Sequence, residues 1–384
     1  MRAPWFQDGM NRIRFYFLLT QGALGIYLPF INVYLEQEVG LSGRQIGVLA
    51  AVSPMMTLLV GPIWGAASDA RGSRLQLLRL AIGGAAGAIL LVAVPGSFWL
   101  LVPAMILFTA FQVAIIPLGD GLVAAAAGRR RVPYGELRLW GSIGFALSGL
   151  IYGQMGSWLD LRSLFPGYAL LMALALPVAW RMVEREPPPP GSDRDHPLAL
   201  LRNRALALFL AIAGLAAVGI WGGYLFLYIF LGTLGAGTGL MGTVSAIGAV
   251  AEVPFMIWGG RLIKRWGARP IFVAGMGLFV LSWSLFAILQ TPTLAPYIQL
   301  LSGAGMGLLW PAGVTFVARQ APAGSDATAQ SLLNATMYGV APLIAAQMAG
   351  VFFDLAGPRA VLGVSATTLA AGVLLFLTTR GRLD

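Results

Sequence analysis

Ala205 to Leu231 reads ALALFLAIAGLAAVGIWGGYLFLYIFL, with no charged residue anywhere in it. As a helix it would cover about 40 Å at 1.5 Å per residue. A bilayer core needs only about 20 such residues. The run is too long and too uniformly apolar for a surface helix, and it lacks the alternating polarity of a barrel strand. This stretch predicts a membrane-spanning helix, and the chain on both sides repeats the pattern.

Working outward, twelve apolar blocks stand at roughly 14–35, 45–67, 77–94, 98–126, 138–156, 163–181, 205–231, 239–261, 271–289, 297–318, 328–353 and 360–379. The connections between them leave no room for a soluble domain. Of 384 residues, 58% are hydrophobic and 10% charged, against roughly 25% charged in a soluble domain. The sequence therefore predicts an all-α membrane protein with twelve transmembrane helices in two pseudo-symmetric six-helix bundles. Those bundles would be residues 1–182 and 205–384, joined by a cytoplasmic linker at 183–204. Four prolines, Pro187 to Pro190, forbid a continuous helix there.

The net charge of +10 does not point to nucleic acid, because no basic face stands apart from the spans. The bases sort by side instead. With both termini cytoplasmic, all 25 Lys and Arg except Arg44, Arg162 and Arg359 fall inside. That bias sets orientation, and it predicts an integral protein of the bacterial cytoplasmic (inner) membrane. The first span has no small-residue cleavage site and reads as an uncleaved helix. With no cysteine, thiolate catalysis and thiolate metal sites are excluded, and no cofactor is expected.

Shifted by 195 positions, the chain places Gly47 on Gly242, Ala51 on Ala246, Gly65 on Gly260, Gly72 on Gly267 and Arg74 on Arg269. Parallel six-helix repeats are an architecture of secondary transporters. The stretch from Gly65 to Arg74, GAASDARGSR, resembles the loop 2–3 signature of the major facilitator superfamily, through Gly65, Asp69, Gly72 and Arg74. Ala70 departs from it, since a base is usual there. The second copy keeps Gly260, Gly267 and Arg269 but carries Lys264 where the acid would be. Gly65 is expected to let two helices approach closely, and Asp69 to latch the cytoplasmic side.

Within that superfamily, Tyr134 to Phe145 (YGELRLWGSIGF), Pro117 to Asp120 (PLGD) and Tyr27 to Phe30 (YLPF) are similar to the phenylpropionate-permease-like branch. That branch looks related to the lactose-permease group of proton symporters. The resemblance implies the major facilitator fold and proton-coupled uptake by a monomer. It also puts an acid on span 4 and an Arg on span 5 at the substrate site.

Charges inside the hydrocarbon are costly, so each is a functional candidate. Asp120 and Arg138 lie at similar depth on either side of the loop near Gly128. They can pair either as a substrate site or as a structural tie between two helices. Glu136 lies nearer the surface, close to Arg129 to Arg131. Glu252 stands mid-way along span 8, where a carboxyl can gain and lose the coupled proton; a hydrogen bond to a neighbouring helix is the plainer role. Ser245, Gly248, Glu252 and Met256 share one helical face.

Polar and aromatic stripes add Gln21 and Asn32, with Tyr27 on a second face, in span 1, and Gln112 in span 4. Span 7 adds Trp221, Tyr224 and Tyr228; span 10 adds Gln299 and Trp310; span 11 adds Gln330, Asn334 and Tyr338. Apolar walls with a few convergent polar groups suit a small organic ligand such as an aromatic acid, though single aromatics can equally face lipid. Gly303, Gly305 and Gly307 follow no strand, so they read as helix packing and not as a nucleotide motif.

The competing function is proton-coupled efflux of small hydrophobic compounds. The span 5 glycines Gly141, Gly144, Gly149 and Gly153 lack the proline of the antiporter motif, as no proline occurs between Pro133 and Pro166. A membrane enzyme is remote. Gly40 to Gly43 does read GLSG, but the only histidine, His196, lies in the linker.

Overall fold

A computed structural model describes residues 4–71, 73–94, 97–130, 134–156, 158–182, 200–322 and 325–379. Side chains are described for these except at 4–8, 69–71, 124–130, 134–135 and 326–327. Most of the 183–204 linker, with Pro187 to Pro190 and His196, lies outside the described residues. So does Gly72 of the first signature loop.

Every described element is helical. The first half runs α1 Pro4–Gln37, α2 Gly43–Leu59, α3 Gly61–Arg71, α4 Arg74–Val92, α5 Phe98–Arg130, α6 Tyr134–Met155 and α7 Leu164–Trp180. The second runs α8 Arg204–Thr233, α9 Thr238–Trp266, α10 Ala268–Ile288, α11 Ala295–Gln320, α12 Asp326–Ala335 and α13 Ala341–Thr378. A π-helical turn, Thr336–Val340, joins α12 to α13. Helix is the expected answer, because backbone polar groups in lipid must be satisfied within the segment.

Among the described residues, ten helical segments are long and apolar enough to cross a membrane. The last is 51 residues long, Thr328–Thr378. Inside it Gly357 breaks the helical geometry (φ 77°, ψ 176°) immediately before Pro358. The break falls between the blocks expected at 328–353 and 360–379. Block 45–67 is interrupted instead, between α2 and α3 at Val60.

The chain forms two compact units. One comprises Met1–Leu41, Met56–Pro190 and Gly237–Ala246; the other comprises Ser42–Met55, Gly191–Ala236 and Ile247–Asp384. In the first, α1 packs on α6 and α7, and α4 packs on α5 and α7. In the second, α8 packs on α13, and α10 packs on α11 and α13. The repeat seen in sequence is thus also a repeat of partners: α8, α10 and α11 take the places of α1, α4 and α5.

Glycines set many of these crossings. A Cβ on Gly25 would overlap the Phe145 carbonyl, and one on Gly144 would overlap that of Leu18, so α1 and α6 meet backbone to backbone. The repeat-related Gly47 and Gly242 do the same against Ala346 and Gly149. Close approach of this kind replaces the hydrophobic driving force that lipid cannot supply. Gly65 does not behave as expected. A Cβ on Gly65, or on its repeat mate Gly260, would meet nothing within 4 Å among the described residues, and both glycines are exposed.

Gly267 has a local reason. It precedes α10 with φ 85° and ψ 162°, an extended positive-φ backbone that is essentially confined to glycine and costs an L side chain about 1–3 kcal/mol. Gly267→Ala is expected to lower the melting temperature in detergent by a few degrees; an unchanged melting curve would refute this reading.

Candidate functional site

The first unit holds a charged cluster built from three helices. α6 supplies Arg138 and α5 supplies Asp120, 3.9 Å apart (Nε to Oδ1) and each about one third exposed. α1 supplies Gln21. With its amide oxygen turned to the guanidinium, Gln21 accepts from Nη1 at 2.5 Å and from Nη2 at 3.0 Å. Phe17, one turn before Gln21, places its ring 5.4 Å below the guanidinium carbon. Gly141 makes the convergence possible. A Cβ there would lie 2.8 Å from Arg138 Nη1 and 2.9 Å from Gln21 Cγ. The pairing expected from depth alone is therefore present. It includes a glutamine that sequence placed in a stripe and an aromatic, Phe17, that sequence did not single out.

Tyr27 does not line this site. It is buried, edge-on to Phe108 (5.3 Å) and Tyr168 (5.9 Å), and its hydroxyl donates to the Met105 sulfur at 3.7 Å. Tyr16 and Tyr34, on the same face of α1, are packing as well. Tyr16 donates to the Ile115 carbonyl (3.0 Å), and Tyr34 stands edge-on to Phe165. Asn32 and Gln112 are half-buried on α1 and α5. Glu136 is exposed, and its expected partners Arg129 to Arg131 lie outside the residues whose side chains are described.

The second unit holds a cluster of a different kind. Tyr224 of α8 lies beside Gln299 and Ser302 of α11, with Glu252 and Tyr228 in its surroundings. Its ring stands edge-on to Trp283 of α10 at 5.0 Å. Ser302 in turn shares a hydrogen bond with Ser282 at 2.7 Å. Gln299 Oε1 and Trp283 Nε1 are buried with no hydrogen-bond partner among the described residues, the condition in which a bound water or ligand group is wanted. Glu252 is half-buried beside this network. α11 is held against its backbone by Gly303 and Gly307, whose Cβ atoms would lie 3.2 Å from the Glu252 amide and 2.5 Å from its carbonyl oxygen. Those glycines are helix packing, as expected.

One turn along α8, Trp221 donates from Nε1 to the Met337 carbonyl at 2.8 Å. Met337 lies in the π-turn, a feature often found at functional positions. Trp221 and Trp310 both approach Tyr338, at 5.8 and 5.1 Å between centroids. The π-turn also breaks the helical spacing that aligned Gln330, Asn334 and Tyr338. Asn334 and Tyr338 are both exposed. Ser282, Ser302 and Trp283 were not readable as site residues, because only their meeting in space distinguishes them from ordinary apolar-helix residues.

Of the signature loops, Arg74 reaches 3.2 Å from where a Cβ on Gly121 would stand, one residue past Asp120. Arg269 lies over the Phe316 ring at 5.9 Å. The side chain of Asp69 lies outside the described residues. Among the described residues no group of His, Cys, Asp and Glu could hold a metal ion.

The profile of the MFS_1 like family matches residues 11–363. The chain is 29% identical to the maltose permease of Geobacillus stearothermophilus, over 94% of this chain and 92% of that protein. It is 26% identical to the multidrug resistance protein MdtG of Yersinia enterocolitica, over 78% and 75% respectively. The crystal structure of the nucleoside transporter NupG superposes with a TM-score of 0.85 at 14% identity, covering 98% of this chain and 99% of that one.

Proposed function

Because the chain belongs to the MFS_1 like family, we propose that it is a proton-coupled symporter that imports a small organic solute by alternating access. It is an integral membrane transporter of the major facilitator kind and not an enzyme. The finer reading has twelve crossings, counting α6 as one and the segment broken at Gly357 as two. Both termini are cytoplasmic, and the protein works as a monomer in a bacterial inner membrane. The phenylpropionate-permease-like branch remains part of this proposal.

The observation that carries the substrate reading is the Arg138–Asp120–Gln21 cluster. Arg138 is already answered by a carboxylate at 3.9 Å, so the group is polar but close to neutral. A fixed guanidinium free to take a carboxylate would favour an aromatic acid. A neutralised one, with an amide beside it, favours a neutral solute rich in hydroxyls. The similarity to a maltose permease agrees with that reading. Glu252, beside Tyr224, would carry the coupled proton; Asp120 is the second candidate. Export by antiport is the competing reading, favoured by the similarity to MdtG and opposed by the proline-free α6.

Membrane vesicles given an inside-alkaline pH gradient test this. Labelled maltose is expected to accumulate at least tenfold and to leave when a protonophore is added. An aromatic acid and a nucleoside serve as comparisons. No accumulation of any of the three, with hydrophobic dye extruded under the opposite gradient, would replace import by export.

A further inference from the structure

The N-terminus of α2 is capped by a residue 311 positions away. Ser42 and Gln45 form a reciprocal cap: the Ser42 amide donates to Gln45 Oε1 (3.0 Å) and the Gln45 amide to Ser42 Oγ (3.3 Å). That pair leaves the first two helical amides, of Gly43 and Arg44, without local acceptors. Asp354 on α13 supplies both. Its Oδ1 accepts from the Gly43 amide at 2.6 Å and its Oδ2 from the Arg44 amide at 3.0 Å, with Arg44 Nε 3.9 Å away. A carboxylate at a helix N-terminus is also favoured by the helix dipole.

The contact extends as a seam. A Cβ on Gly43 would lie 2.7 Å from the Gly350 carbonyl, one on Gly350 would lie 2.5 Å from the Gly43 carbonyl, and one on Gly47 would overlap that of Ala346. Gln347 Nε2 donates to the Gly47 carbonyl at 3.4 Å. Phe353, next to Asp354, stacks on Phe226 at 4.5 Å. Two helices pressed backbone to backbone, with a bidentate carboxylate at the end, separate only if the carboxylate lets go.

We infer that Asp354 is a latch: its hold on the α2 N-terminus closes the extracellular end of the transport pathway, and its release is a required step of the cycle. The inference rests on the termini-inside reading proposed above, which puts Arg44 and Arg359 outside. The ion pair with exposed Arg44 is secondary, since the two amide bonds survive its loss.

The chain contains no cysteine, so Ala346→Cys gives a single thiol on this seam, buried in the closed contact. The measurement is its rate of reaction with a membrane-impermeant maleimide, on intact cells and on inside-out vesicles. Adding Asp354→Ala is expected to speed labelling of intact cells at least tenfold. Asp354→Asn, which loses one acceptor, should give a smaller increase and stands in if the alanine variant does not assemble. Arg44→Ala should stay within threefold of the parent. Equal rates with and without the Asp354 substitutions, in proteins that elute normally by gel filtration, would overturn the latch. Acceleration confined to inside-out vesicles would overturn the termini-inside reading and with it the extracellular assignment.

Discussion

Glu252→Gln is expected to abolish proton-driven accumulation while leaving exchange of substrate across the membrane within about twofold of the parent. Glutamine keeps the size and most of the hydrogen-bonding capacity of a protonated glutamate, but it cannot release a proton. The neighbourhood favours this outcome: Glu252 is half-buried on α9, against the stretch of α11 that carries Gln299, Ser302 and Gly303. The backbone of Glu252 is fixed by the close passage of Gly303 and Gly307, so the side-chain substitution should not disturb packing. The check is a paired measurement in proteoliposomes, with uphill uptake under a pH gradient against counterflow with no gradient. Undiminished uphill uptake in Glu252→Gln would move the proton to Asp120 or elsewhere.

The second large effect is expected at Arg138. Arg138→Ala removes a partner of Asp120 and of Gln21 at once. Breaking a buried pair from one side typically costs about 3–5 kcal/mol. Both side chains here are about one third exposed, so screening reduces the stability cost below that range. Transport is expected to fall at least a hundredfold, about 2.7 kcal/mol if all of it is lost substrate binding. Asp120→Ala combined with Arg138→Ala should melt higher than Arg138→Ala alone, because no uncompensated charge remains, yet it should still fail to transport. That split between stability and transport separates a substrate site from a structural tie. A double variant that recovers transport would assign the pair to structure.

Much of this organisation is legible from residue chemistry. The depth of Asp120 and Arg138 on two consecutive apolar blocks predicted that they would meet, because a short hairpin between spans leaves little freedom in register. Gly303 and Gly307 were legible as packing, since small residues at helical spacing in lipid have few other uses. Tyr27 was misread for the converse reason. A tyrosine in an otherwise apolar span looks like a lining residue, because its hydroxyl needs a partner, and only the rings of Phe108 and Tyr168 place it in the core. Gly65 differs in the same way: a glycine in a signature loop was expected to mark close approach, and no described residue lies within 4 Å of where its Cβ would stand.

What the sequence determined by itself is what transfer between water and lipid governs: which segments are long and apolar enough to cross, and that they are helices. Those features depend on composition along the chain, and hydrocarbon enforces them residue by residue. What only the tertiary structure decided is the rotation of each helix about its axis. Helices that are apolar all round carry no stripe to fix that angle. So the capping of α2 by Asp354, the placing of Gln299 and Ser302 around Tyr224, and the retreat of Tyr27 into the core were invisible until the helices were packed. The low charge content that identified the membrane is thus also what concealed the contacts within it.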